Sequence, residues 1–395
     1  MLPRLCTLLL LGVSLGITSC DIADNEVGPE TSFAQIYDDR SHTTTYDPMA
    51  VVQTEDEGYL TLAARNAWNV YLLKADAVGQ YEWDIVIDEA YVHPLPRLIR
   101  AEEGYYFICM NEVTSAAVVM SVDPSSQTTS VVAELDDVQY PLAVSQNDDQ
   151  SLLILGYDRK SRSSTLHSLN PDFTQRWTNR YSVEEDVEEI IVRHVARTGP
   201  RLPFFVGATA GGEAYYFNGF ANYTLGLNFV SSQQGDLTGT VNGFRDDMFV
   251  SAAYPLEAGT FAVARRSYGV STFLPYQALS STTTSSSDKW TANDFLEIDT
   301  NAPVIIKMIM HQRRRVVIFG THTKQRRLVF YAYDAENGEL LGTQYLGQNG
   351  PYRMGDFIAT VDGGLAVVAE TFVANRFSRP CLFKLTPAEV EAFIR

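Results

Sequence analysis

The sequence predicts an all-β chain: a seven-bladed β-propeller of four-stranded antiparallel blades, its ring closed by an N-terminal strand that completes the last blade. Three observations predict it. Short runs of β-branched and aromatic residues, punctuated by Gly, Asp and Asn, fill almost the whole chain. The pattern recurs: from Gly58 to Gly364 is 306 residues over six intervals, or 51 per unit. That is the period of a four-stranded blade and far exceeds a helical solenoid repeat. Finally, Ser32 to Asp38 alternates like a strand with no hairpin partner beside it, while the last unit lacks a fourth strand. Pairing the two would remove an exposed sheet edge.

The first unit sets the pattern. Pro48 to Thr54 is its inner strand, and Glu55-Asp56-Glu57 with Gly58 make an acidic turn. Tyr59 to Arg65 is the second strand, Asn66 to Asn69 a hairpin, and Val70 to Lys74 the third strand. Asp76 to Gly79 turns the chain into Tyr81 to Ile87, which carries Trp83. Later inner strands are led by Pro94, Pro141 and Pro303. Later second strands are Tyr105–Met110, Leu152–Gly156, Leu202–Gly207, Thr260–Ala264, Val316–Gly320 and Leu365–Ala369. The fifth unit is lengthened by Ser280 to Ser287, a polar low-complexity run read as an unpacked loop. The propeller spans 32–385. Over 386–395, Thr386-Pro387-Ala388-Glu389 reads as an N-cap, a first-turn proline and a capping-box Glu opening a short helix that buries Val390 and Phe393.

Composition bounds the function. With 395 residues, 45% hydrophobic and 20% charged, the chain is a folded protein rather than a disordered one. Net charge is −18, and −19 without residues 1–19, where Arg4 is the sole charge. So acidic a chain excludes nucleic acid as a partner, because phosphates require a basic face. Of four cysteines, Cys109 and Cys381 fall in strands of different units and are expected as buried free thiols.

Met1 to Arg4 is a short positive region, and Leu5 to Ile17 is apolar but too short for a permanent membrane span. It ends Leu15-Gly16-Ile17-Thr18-Ser19-Cys20, which resembles the bacterial lipobox. The resemblance implies that 1–19 is a lipoprotein signal peptide and that Cys20 is the lipid attachment site. Residues 20–31 then form a flexible acidic tether. Acidic residues directly after the cysteine resemble the export signal of surface lipoproteins of the Bacteroidetes group. Asp directly after the cysteine also resembles the inner-membrane retention signal of enterobacterial lipoproteins. The repeats, over about 32 to 385, resemble degenerate propeller repeats of secreted and lipid-anchored bacterial proteins. They lack the Gly-His and Trp-Asp pairs of WD40 repeats, the kelch spacing and the sialidase aspartate box.

No residues assemble into familiar chemistry. The six histidines show no HxH or HExxH pairing, no calcium-loop motif is present, and no G-x-S-x-G elbow occurs. No metal and no cofactor are expected. Scarce positive charge is more informative: Arg97, Arg193 and Lys307, with His93 and His194, are placed on inner strands and are candidate ligand contacts in the central channel, where blades converge. Arg313-Arg314-Arg315 and Lys324, Arg326 and Arg327 flank one second strand and so sit at opposite ends of a blade. The expectation is a non-enzymatic binding or scaffolding module anchored by lipid in the outer membrane, facing periplasm or exterior, with an envelope protein or glycan as partner. The alternative is an envelope carbohydrate-active enzyme with catalytic carboxylates at the channel mouth.

Overall fold

The computed structural model describes residues 30–101, 104–183, 186–199, 201–221, 224–243, 248–347, 350–374 and 376–394. The signal peptide, Cys20 and nearly all of the tether lie outside the described residues. Within them the chain is nearly all strand, in six hydrogen-bonded sheets. The largest has nine strands but consists of two four-stranded groups. One runs from Tyr46–Gln53 to Tyr81–Val86, the other from Ile99–Ala101 to Thr128–Gln139. They are stitched by Tyr91–Val92, which pairs with Asn69 on one side and with Met110 and Asn111 on the other. The third group spans Ala143–Gln146 to Gln175–Ser182, and the fourth Val206–Ala208 to Leu237–Asn242. The fifth runs from Met248–Glu257 through Val270–Ala278 to Asp294–Phe295, and the sixth from Ile305–His311 to Leu340–Leu346. The last runs from Tyr352–Ala359 to Phe377–Leu385.

The two ends of the chain meet in that last group. Phe33–Ile36 pairs antiparallel with its outer strand in the register Phe33 to Lys384 and Ile36 to Cys381. The junction is locked by Arg379, only 2% exposed. Its Nε donates to Asp38 at 2.6 Å and its Nη1 to the Thr44 and Ser378 carbonyls at 3.1 and 2.8 Å. Nη2 reaches the Ser41 carbonyl and lies 3.1 Å from Asp39. A fully satisfied buried guanidinium of this kind fixes one geometry for the chain around it.

Alternation buries both faces of most strands, so each sheet shares a core with the next. Leu60, Leu62 and Leu72 of the first group pack on Phe107, Cys109 and Val118 of the second. The opposite face of the first group, with Tyr59, Ala63 and Tyr71, packs on Ala366, Val368 and Leu382 of the last. Cys109 and Cys381 are buried free thiols in separate cores, as the sequence implies.

Three expectations need correction. The stretch containing Arg193 and His194 is not an inner strand but the helix Glu188–Val195. Glu188 and Glu189 favour its first turn, and Ile191 and Val195, four apart, bury one face. Leu202–Gly207 is accordingly not a second strand: Val206–Ala208 is the inner strand, and Ala214–Ala221 is the second. The run Pro203 to Phe205 cannot pair regularly because Pro203 lacks a donor. Buried Asn218 substitutes for the missing ladder, donating to the Pro203 carbonyl at 2.6 Å and accepting from the Phe205 amide at 2.8 Å. Ser280 to Ser287 is also not unpacked. Thr284–Ser286 adds a parallel strand to Leu237–Asn242, and Arg265 Nη1 holds the Ser287 carbonyl at 2.6 Å. The terminal helix, Pro387–Phe393, has the expected capping box. It lies so close to the sixth group that a Cβ on Gly342 would come within 1.8 Å of the Phe393 carbonyl oxygen.

The acidic turns hide a repeated device. In Thr54-Glu55-Asp56-Glu57-Gly58, Asp56 accepts from the Gly58 amide at 3.1 Å and from Lys74 Nζ at 2.8 Å. In Thr360-Val361-Asp362-Gly363-Gly364, Asp362 accepts from the Gly364 amide at 3.0 Å and from Lys384 Nζ at 2.6 Å. Each lysine rises from the third strand of its group with its side chain 1% exposed. Glycine ends both turns because a Cβ there would lie 2.5 Å from the Ala75 carbonyl oxygen or 2.2 Å from that of Leu385, as well as against the lysine Nζ.

This device generates a prediction. Asp362→Ala strands a buried ammonium and is expected to cost about 3 kcal/mol or more, whereas Lys384→Met, which leaves a partly hydrated carboxylate, costs about 1 kcal/mol or less. Urea unfolding of both variants checks the asymmetry; equal losses would show that the lysine acts through its charge no more than through its stem.

Candidate functional site

The inner strands converge on a cavity of about 1750 Å³, walled by residues of six of the four-stranded groups and, at the second, by the segment His93 to Leu98 that leads into it. It exceeds the range of about 300–1,000 Å³ usual for small-ligand pockets. Its chemistry is concentrated where the first group, the segment after the helix and the last group meet. Asp47, next to the proline that leads the first inner strand, accepts on Oδ2 from both Arg197 Nη1 and Arg201 Nη2. Arg197 is deeply buried, its Nη2 also reaching the Pro94 carbonyl at 3.4 Å and Met49 Sδ at 3.6 Å. Enclosure by protein disfavours the charge on Asp47, but Arg201 and Arg197 outweigh it and hold the carboxyl below its usual range.

Arg353 lies within electrostatic range of the same carboxylate and donates to Glu370 at 3.3 Å. Glu370 responds oppositely to Asp47. Burial raises its pKa, Asp47 adds to the rise, and Arg353 only partly opposes it. Two carboxyl groups in one cavity are thus pushed apart in acidity.

Of the residues placed in the channel by sequence, His93, Arg97, His194 and Lys307 line the cavity. Lys307 is pinned by Asp356 at 2.6 Å, and Asp356 in turn accepts from the amides of Val51 and Phe357 at 3.3 and 2.8 Å. Arg97, with His93, lies not on an inner strand but in the irregular segment before Ile99–Ala101, where Arg97 is exposed and in range of Tyr216 and Tyr254. Arg193 does not line the cavity: on the solvent side of the helix it is 60% exposed and pairs with Glu189 at 2.7 Å. Helical spacing turns it away from its neighbour His194, since adjacent helical residues do not share a face.

His194 Nδ1 accepts from the Leu202 amide at 3.0 Å, and its ring meets that of His93 edge-on at 5.9 Å. His93 Nε2 faces the Pro141 carbonyl at 3.1 Å, so it carries the proton and leaves Nδ1 as a buried acceptor without a partner. The basic clusters around the sixth group serve its packing instead. Arg314 pairs with Asp334, Arg315 donates to the Leu256 carbonyl at 3.2 Å, and Arg327 stacks over Tyr345 at 4.7 Å.

Sequence reading missed Asp47, Arg197, Arg201, Arg353 and Glu370. Only one signal pointed to them: Asp47 precedes the proline of an inner strand. The arginines follow a helix or open the last group, and nothing in their spacing relates them.

Four histidines are buried in the neutral form, burial being the first cause in each. His194 falls to about 3, His167 and His322 to about 4, and His93 well below the ordinary 6.5, the charges of Arg197 and His194 adding to its burial. The unfolded chain takes up protons below about pH 6.5 that the folded chain refuses, so stability present above that pH is lost as pH falls towards the folded values. Unfolding free energies from urea titrations between pH 7 and 5 are expected to drop, by roughly 1 kcal/mol per pH unit below 6.5 for each such histidine. His322→Gln should flatten the slope; a flat profile in the parent protein would contradict neutral burial.

No protein-family model matches the sequence, and no curated protein matches it. Among solved structures, Kuenenia stuttgartiensis hydrazine synthase is similar over 89% of this chain and 99% of its own, at 10% identity and a TM-score of 0.52. The S. cerevisiae core factor is similar over 90% of this chain and 61% of its own, at 10% identity and a TM-score of 0.50. The β-propeller domain of the trilobed protease from Pyrococcus furiosus is similar over 90% of this chain and 96% of its own, at 10% identity and a TM-score of 0.46. At such identities the likeness is one of fold alone. The sheets, stacked face to face about a common cavity, make that fold a β-propeller.

Proposed function

We propose that this chain is a lipid-anchored module of a bacterial outer membrane, a seven-bladed ring that binds a ligand in its central cavity. The ring reading is supported by seven apolar clusters. Each lies between two successive four-stranded groups, and one joins the first to the last. The anchoring reading rests on the lipobox-like stretch ending at Cys20. The observation that carries the binding reading is the convergence, on one large cavity, of charged side chains from segments far apart in sequence, as when Arg197 and Arg201 both reach Asp47. Packing alone does not require such groups to point inward, and burying them is costly.

A second reading, an envelope enzyme acting on carbohydrate, is favoured by the opposite acidities of Asp47 and Glu370 in one cavity. Asp47 is saturated by two guanidiniums, which makes it a poor base, so binding is preferred. Glycan turnover abolished by Glu370→Gln would reverse that preference.

Two experiments test the proposal. Cys20→Ala is expected to lose palmitate labelling and to leave the membrane fraction; retention of both would defeat the anchor. For the cavity, a polar small-molecule extract of the envelope should raise the Tm of the purified protein, and Ser251→Trp, which places bulk in the cavity wall, should abolish the shift. A shift that survives the tryptophan would place binding elsewhere.

A further inference from the structure

The cavity walls differ electrostatically from the rest of the chain. They carry six cationic and six anionic side chains, whereas the whole sequence has 30 against 48. Neutral balance in so acidic a protein means that cations have been gathered there. Two of the six, Arg197 and Arg201, contact one carboxylate, that of Asp47, and a third, Arg353, lies within electrostatic range of it.

The three arginines are not equally committed. Arg197 is buried and spends its donors on Asp47, the Pro94 carbonyl and Met49. Arg201 and Arg353 are 43% and 48% exposed to the cavity space. Among the described residues each makes a single ion pair, Arg201 with Asp47 and Arg353 with Glu370 at 3.3 Å. A guanidinium offers five N–H donors in a planar fork that matches an oxyanion two atoms at a time. Asp47, by contrast, offers Arg197 and Arg201 the same oxygen, Oδ2, which leaves that fork geometry unused. Partly buried aromatic rings border the same space, among them Phe204, Phe205 and Tyr254.

Building on the binding reading above, we propose that Asp47 is an internal stand-in for a ligand's oxyanion, and that Arg201 and Arg353 receive the carboxylate or phosphate group of a small organic anion whose body rests against the aromatic wall. Arg197 holds the stand-in in place. Glu370 neutralises Arg353 until the ligand arrives. Arg201 and Asp47 are only partly enclosed, with side chains 43% and 38% exposed, so displacing Arg201 from Asp47 costs less than breaking a fully buried pair.

Calorimetric titration of the purified protein with glucuronate, inorganic phosphate and glucose tests this. Glucuronate, phosphate or both are expected to bind and glucose to bind at least tenfold more weakly; which of the two anions binds tells carboxylate from phosphate. Arg201→Gln and Arg353→Gln should each weaken the anion at least tenfold, and Asp47→Asn should tighten it several-fold by removing the competitor. Tightening is the discriminating result, because a purely structural Asp47 could only lose affinity when replaced. Should Asp47→Asn fail to fold, the two glutamine variants decide, since both arginines are half exposed. Equal binding of glucose, unchanged affinity in both glutamine variants, or weaker binding in a folded Asp47→Asn overturns the proposal. If no anion binds but the envelope extract still shifts Tm in a Ser251-dependent way, the oxyanion inference falls and the cavity-binding reading stands; if neither occurs, both fall.

Discussion

The rest of the structure depends on one antiparallel pairing, that of Phe33–Ile36 with Phe377–Leu385. Without it the last sheet would have three strands, and its outer backbone would present an unpaired ladder. The pairing also brings Asp38, Asp39, Ser41 and Thr44 onto Arg379, so that a single buried side chain reads the path of the chain just before the first inner strand. That path matters for the cavity: Tyr46 is held by Ser378 at 3.1 Å, and its neighbour is Asp47. The position of the central carboxylate is thus set by the joining of the chain's two ends, more than 330 residues apart.

The cavity follows from the same geometry. Sheets that bury both faces against their neighbours leave only their innermost strands and connections free to face a common space. Whatever charge those segments carry must then be reconciled within that space. Lys307 is reconciled locally by Asp356, and that pair also braces the first group through the Val51 amide. Arg197, Arg201 and Arg353 are reconciled with Asp47 and Glu370, an arrangement in which both carboxyl groups are perturbed in opposite directions. Buried ionic groups are weak evidence for stability, so packing alone does not account for them.

Much of the architecture was legible because it is local or periodic. The alternation of Tyr59–Arg65, the Asx turns at Asp56 and Asp362, and the capping box at Thr386 and Glu389 are all encoded within a few residues. The unpaired strand near the N-terminus was legible for a different reason, since the last repeat was short by one strand. Failures occurred where a local pattern was overruled. The apolar run Leu202 to Phe205 has strand composition but lies outside the strand that begins at Val206, because Pro203 breaks the ladder and Asn218 replaces it from the side. The serine–threonine run at 280–287 has loop composition, yet it is captured by an open edge at Leu237–Asn242.

By itself the sequence determined the period, the strand class, the acidic balance and the repeat that is left incomplete. These follow from residue type and spacing, which act over a few positions. Tertiary structure alone decided the helix at Glu188–Val195, the burial of Lys74 and Lys384 under aspartate turns, and above all the meeting of Asp47 with Arg197, Arg201 and Arg353. Arg197 and Arg201 are brought into contact with Asp47, and Arg353 within electrostatic range of it, although each lies 150 or more positions away in sequence. No short-range pattern can specify that, because the energy that holds them is paid out only once every sheet between them has packed.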